Sequence, residues 1–224
     1  VERLIRQGRL VAPRRGFFVV VPLEYKSAGA PPPSWFIDDL MRFHQQPYYV
    51  ALLSAAALHG AAGQQPQEFQ VISNRQLRPA TVGRSRIRFL LKKCADHTPA
   101  VTIKTETGSM RASTAEATAI DLVRYPEHAG GWNNVAEVIA DLAEKIDPGR
   151  LTEAARIEDD LAAAQRVGFL LEHVGAAGKT ELLAAWIEAE RPRPVPLRAD
   201  REAAGARKDQ RWRVLVNEDI EVAG

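Results

Sequence analysis

Apolar positions along the chain switch between a helical and an alternating period, and the switches divide it into segments. Val1, Leu4 and Ile5 sit at helical spacing and Gly8 follows as a stop, which predicts the last turns of a helix. Two β-rich runs, Arg9–Ala12 and Phe17–Val21, flank Pro13-Arg14-Arg15-Gly16 in the pattern of a hairpin. Residues 23–33 hold Gly29 and three consecutive prolines, which predicts a semi-rigid linker. Ser34 is placed to cap a helix carrying Phe36, Ile37, Leu40 and Met41, and Pro47 to open a second helix from Tyr48 to His59. Strands are expected at Phe69–Ile72, Arg86–Leu91 and Ala100–Lys104. Ser113-Thr114-Ala115-Glu116 has capping-box spacing ahead of a helix with Ala117, Ile120 and Leu122. From 133 to 190 the period is helical, with stripes at Val135/Val138/Ile139/Leu142/Ile146, at Leu161/Val167/Leu170/Leu171/Val174 and at Leu182/Leu183/Trp186/Ile187. The prolines of residues 191–196 break that pattern into an extended stretch, and Trp212–Asn217 predicts a closing strand with Trp212, Val214 and Val216 on one face.

The chain has 224 residues, enough for one large domain or two modest ones, and its 46% hydrophobic content can build a core. A net charge of +2 says little about partners. The distribution of charge says more. Residues 1–15 carry Arg3, Arg6, Arg9, Arg14 and Arg15 against Glu2 alone. Residues 69–95 carry Arg75, Arg78, Arg84, Arg86, Arg88, Lys92 and Lys93 and no acid. Residues 134–160 reverse the balance, with eight acids against three bases. Cys94 is the single cysteine, so no intrachain disulfide forms and a reducing compartment, the cytoplasm, is expected. No apolar run has the length of a membrane span and no signal peptide is visible, so no membrane role is expected. The first residue is Val and not Met, and a chain truncated at its start is expected.

A helix end followed by a basic hairpin is what a winged helix presents to DNA, with arginines for phosphates and a fork donor such as Arg or Gln for base edges. Arg3, Arg6, Gln7, Arg9, Arg14 and Arg15 are the candidates. Spacing alone leaves this reading beside that of a solvated basic helix and an ordinary hairpin. The second basic group is read as a further electropositive face for DNA, RNA or protein, because Arg86 and Arg88 share a strand face and no acid interrupts the run. Gly175-Ala-Ala-Gly178-Lys179-Thr180 resembles the end of a phosphate-binding loop. That pattern needs a glycine where His173 stands, and a strand where Val167–Val174 reads as helix. Helix end and helix start explain the glycines and Thr180 better. The five histidines (44, 59, 97, 128, 173) have no metal spacing, and Cys94 with His97 makes neither a zinc site nor an activated nucleophile. Core packing accounts for Trp132, Trp186 and Trp212. No catalytic residue, metal or cofactor is expected, and the chain is read as a non-enzyme.

Four segments together resemble a known family. They are Arg3-Leu4-Ile5…Gly8-Arg9-Leu10-Val11…Arg15-Gly16-Phe17-Phe18, then Tyr48–Leu52 with Ala56–Gly60, then Ser113–Leu122, then Trp212–Asn217. In order and spacing they are similar to the AbiEi-type antitoxins of bacterial type IV toxin–antitoxin systems, also described as transcriptional regulators. The resemblance implies an α+β chain: residues 1–22 as the remnant of a winged helix-turn-helix, 23–33 as a linker, and 34–224 as the C-terminal antitoxin domain. Within the last, 34–124 is mixed α/β, 133–190 helical and 211–217 the closing strand. It implies repression of the operon's own promoter at operator DNA with inverted repeats, and action against a nucleotidyltransferase-like toxin. It also implies that the helices preceding the recognition helix lie outside this chain. The competing reading is a protein-interaction module that docks a partner through its basic and acidic faces without binding DNA.

Overall fold

The computed structural model describes residues 1–61 and 66–221. The fold is α+β, and the chain forms two compact units: residues 1–54 with 65–113, and residues 55–64 with 114–224.

The first unit opens with helix α1 (Glu2–Arg6), the hairpin β1 (Leu10–Arg14) and β2 (Phe17–Val20), and helix α2 (Ile37–Phe43). A six-stranded sheet follows from β3 (Tyr48–Val50), β4 (Phe69–Ser73), β5 (Ala80–Val82), β6 (Ser85–Leu91), β7 (Ala100–Thr105) and β8 (Gly108–Ser113), in the order β5-β6-β4-β3-β8-β7. Pairing is parallel between β4 and β6 and between β3 and β8, and antiparallel elsewhere. Alternation decides the faces: Ile87 and Phe89 of β6 and Val71 of β4 point to a core shared with Ile37, Leu40 and Met41 of α2. The hairpin joins the same core through Val19, with Val11 and Phe17 packed against it.

Two expectations change here. Tyr48–Val50, expected to begin a helix, is a strand near the centre of the sheet, paired to both β4 and β8. Its residues are buried on both faces, and a strand of that kind reads as an unbroken apolar run that periodicity cannot tell from a buried helix. The helix is confined to α3 (Leu52–Leu58). Residues 23–33, expected as a linker, form two short 3₁₀ turns with Ala30, Pro31 and Pro33 buried. The β5–β6 turn holds them: Arg84 N donates to Ala28 O at 2.9 Å, and a Cβ on Gly83 would lie 2.3 Å from that same oxygen. Only glycine allows this approach. Ser34 lies inside a 3₁₀ turn, and α2 starts without a side-chain cap.

The second unit is helical: α4 (Ala115–Arg124), α5 (Trp132–Ala143), α6 (Pro148–Glu158), α7 (Leu161–His173) and α8 (Glu181–Glu190). A small sheet closes it, with β9 (Val195–Pro196), β10 (Arg207–Lys208) and β11 (Val214–Val216) in the order β10-β11-β9. Local chemistry starts the helices. Thr114 Oγ1 accepts from Ala117 N, Asp147 Oδ1 from Arg150 N, and Asp160 Oδ1 from Ala163 N. The cap of α4 is therefore Thr114 and not Ser113. Glu116 leaves the expected capping box, and its Oε1 accepts instead from Asp147 N at 3.0 Å and Arg150 Nε at 3.2 Å. Trp212 is fully buried beside Gly168 of α7, where a Cβ would meet the indole ring at 2.1 Å.

Candidate functional site

The first basic group lies on α1 and the hairpin. Arg3, Arg6, Gln7, Arg9 and Arg15 are exposed, and among the described residues none of these arginines pairs with a carboxylate. Arg14 differs. It lies in β1, opposite Phe17, which leaves Arg15 and Gly16 as the turn. Its side chain folds back on the unit: Nη2 donates to Arg78 O and Nη1 to Pro79 O at 3.4 Å. The guanidinium lies over the Phe89 ring, 5.8 Å from its centre. Burial and then the charge of Arg78 lower the Arg14 pKa.

The second basic group is not one continuous face. Glu68 immediately precedes the acid-free run, and the parallel register that sets Phe69 opposite Ile87 brings its carboxylate to β6. Arg88 donates to it through Nε, and through Nη2 at 3.0 Å, while Arg86 Nε lies 3.4 Å away. Arg86 and Arg88 do share a face, as their spacing implies, but Glu68 offsets their charges. Lys92 is buried, and its Nζ donates to Tyr49 Oη at 3.0 Å. Arg84 and Lys93 are exposed.

Arg75 and Arg78 remain, and the fold brings them to Arg14. With His44, Gln46, Gln76 and Leu77 these three arginines line a recess of about 490 Å³. Neither Arg75 nor Arg78 pairs with a carboxylate among the described residues, and no acid lines the recess. His44 follows α2. Its Nε2 is buried with no hydrogen-bond partner among the described residues, its carbonyl accepts from Gln46 Nε2 at 3.4 Å, and Phe43 packs edge-on against its ring. Burial, then Arg14 and Arg75, lower the His44 pKa, which favours the neutral imidazole. Sequence reasoning passed over His44 and Gln46 because they sit in a short connection with no periodic signal. A window widened by one residue would have found Glu68.

In the second unit the polar groups build structure. Asp121 is fully buried at the end of α4, 4.0 Å from Arg124. Arg124 donates to Glu158 Oε2 at 2.7 Å and Asp160 Oδ2 at 3.0 Å, so one guanidinium ties the end of α6 to the start of α7. Burial works against the charge on Arg124, but Glu158, Asp160 and Asp121 outweigh it and raise the pKa. Burial, then Asp121, pushes the Tyr125 hydroxyl up to about 12. In the glycine-rich segment Lys179 Nζ donates to Ile146 O at 2.9 Å and Thr180 Oγ1 to Ala177 O at 2.8 Å, so both groups that would meet a phosphate are engaged by the fold. Thr180 does not cap α8 through its side chain. Cys94 is exposed, and among the described residues no three His, Cys, Asp or Glu side chains gather as a metal site. No described helix is long and apolar enough to cross a membrane.

Comparison with known proteins agrees with this architecture. The crystal structure of the RV2827C protein from Mycobacterium tuberculosis is similar in fold, with a TM-score of 0.63 at 17% identity over 95% of this chain and 77% of that one. No curated protein matches the chain. The family model of the AbiEi antitoxin C-terminal domain matches residues 49–173, more than half of the 224 residues, from strand β3 to the last residue of α7. The chain therefore belongs to the AbiEi antitoxins, and its role is that of the antitoxin in a toxin–antitoxin pair.

Proposed function

We propose that this antitoxin is also the repressor of its own operon, binding operator DNA with inverted repeats through α1 and the hairpin, and that it acts without catalysis of its own. The observation that carries this reading is the set of exposed basic residues Arg3, Arg6, Arg9 and Arg15, free of carboxylate partners among the described residues, with Gln7 beside them. Such charges supply the salt-dependent part of DNA affinity. In this reading residues 1–22 are the end of a recognition helix and its wing, the hairpin lies against the backbone, and two copies on an inverted repeat exclude polymerase. The opposing toxin is nucleotidyltransferase-like, the system is type IV, and the setting is the cytoplasm. Of the second basic group, Arg75 and Arg78, with exposed Arg84 and Lys93, remain available to a partner.

Gel-shift titration of the protein on the DNA upstream of its gene tests the proposal. Arg6→Ala with Arg15→Ala should weaken binding on every sequence, and the slope of log K against log salt should fall by about 2, near 0.9 per lost phosphate contact. Unchanged affinity and slope would refute the assignment.

A further inference from the structure

The recess beside Arg14 gathers like charges that no carboxylate among the described residues neutralises. Three arginines of the same unit do meet acids: Arg42 pairs with Asp38 and Asp39, and Arg86 and Arg88 with Glu68. Arg75 and Arg78 do not, and they face an arginine already fixed in place. Arg14 is held by the carbonyls of residues 78 and 79 and by the ring beneath it, so its remaining N–H groups are oriented without further ordering. Guanidinium forks match phosphate oxygens in geometry as well as charge. Gln46 offers an amide, and the His44 ring, whose buried Nε2 has no hydrogen-bond partner among the described residues, forms part of the wall. A volume of about 490 Å³ lies within the range of small-ligand sites and exceeds what a bare ion requires.

We infer that this recess is a phosphate-ester site of nucleotide size, in which Arg14, Arg75 and Arg78 hold the phosphate, Gln46 donates to its oxygens and the His44 ring forms part of the wall. The ester is either one nucleotide of a DNA strand or a free nucleotide. The site stands apart from the exposed arginines of α1 and the turn, so it does not depend on the repressor reading.

The test follows the imidazole resonances of the five histidines by NMR while the full chain is titrated with inorganic pyrophosphate, with a nucleoside diphosphate, and with a short DNA duplex. Calorimetry supplies each affinity. The His44 ring should move, and His128 and His173 should not. Arg75→Ala with Arg78→Ala, both at exposed positions, should weaken the binding that moves His44 by about tenfold or more. A response to pyrophosphate and nucleotide identifies a free ligand, and a response to duplex alone identifies the DNA backbone. A His44 ring unmoved by all three probes overturns the site, as does binding unchanged in the double variant. DNA binding that persists in that variant with His44 unmoved removes this site and leaves the repressor reading intact. A His44 shift with pyrophosphate in the absence of any gel shift does the reverse.

Discussion

Replacing Gly168 by alanine puts two opposed effects on one position. In a free helix the change stabilises, because alanine exceeds glycine by about 0.8–1.0 kcal/mol in helix propensity. Here the new methyl would lie 2.1 Å from Cζ3 and 2.3 Å from Cε3 of Trp212, against an optimal carbon–carbon separation of about 3.5–4.0 Å. The indole has nowhere to move. It is fully buried, its residue is anchored at N by Asp209 Oδ1 at 2.8 Å, and its carbonyl accepts from Gln165 Nε2 at 3.0 Å. Overpacking of this kind costs about 3 kcal/mol, bounded above by the roughly 3–5 kcal/mol of losing a buried tryptophan. After the propensity gain, Gly168→Ala should destabilise the helical unit by about 2 kcal/mol. The decisive measurement is a double-mutant cycle with Trp212→Ala, by urea unfolding followed with helical circular dichroism. Without the ring the three nearest atoms, all of the indole, are gone, and Gly168→Ala should turn stabilising by up to about 1 kcal/mol, a coupling near 3 kcal/mol. If the two substitutions add within about 0.5 kcal/mol, the glycine is not there to seat the indole.

Two further outcomes follow from charge. Arg124→Met should cost about 3–5 kcal/mol, because it takes the guanidinium charge away from the buried carboxylates of Asp121 and Glu158, whose side chains are 0% and 3% exposed; a loss below about 1 kcal/mol in chemical denaturation would show that the network is not structural. His44 has a lowered pKa, so below its ordinary value of about 6.5 the unfolded chain binds the proton more readily than the folded one, and stability falls as pH drops through that region. His44→Gln should flatten that acid limb relative to the parent protein in unfolding midpoints measured against pH, and parallel curves would contradict it.

Much of the fold was readable from local pattern. The hairpin and strand β6 stand out because inward residues are buried and their neighbours are wetter, so the period survives in the sequence. Elements α1, β4 and β7 were legible from residue type and stop signals without that contrast: α1 and β7 bury no residue, and β4 is buried from residue 70 to 73. Helix α4 was legible with its cap misplaced by one residue. At β3, buried on both faces, the apolar run was read as the start of a helix. Short strands β5 and β8 escaped because three to six residues with Gly, Ser and Ala carry little β signal of their own. Residues 23–33 have the composition of a linker, yet a neighbouring turn presses on them through Gly83, a contact that composition does not encode.

The candidate site divides in the same way. The amino-acid order alone determined that basic residues cluster at 1–15 and 69–95, that the strand face of Arg86 and Arg88 is shared, and that the landmarks of the antitoxin family stand in order along the chain. Which of those charges are available was decided only by tertiary structure. A parallel register laid Glu68 across Arg86 and Arg88, burial took Lys92 to Tyr49, and a hairpin turn of two residues swung Arg14 to Arg75 and Arg78 from more than sixty positions away. Charge is a property of composition, but its field depends on which opposite charge the fold brings within a few ångströms, and sequence distance does not report that separation.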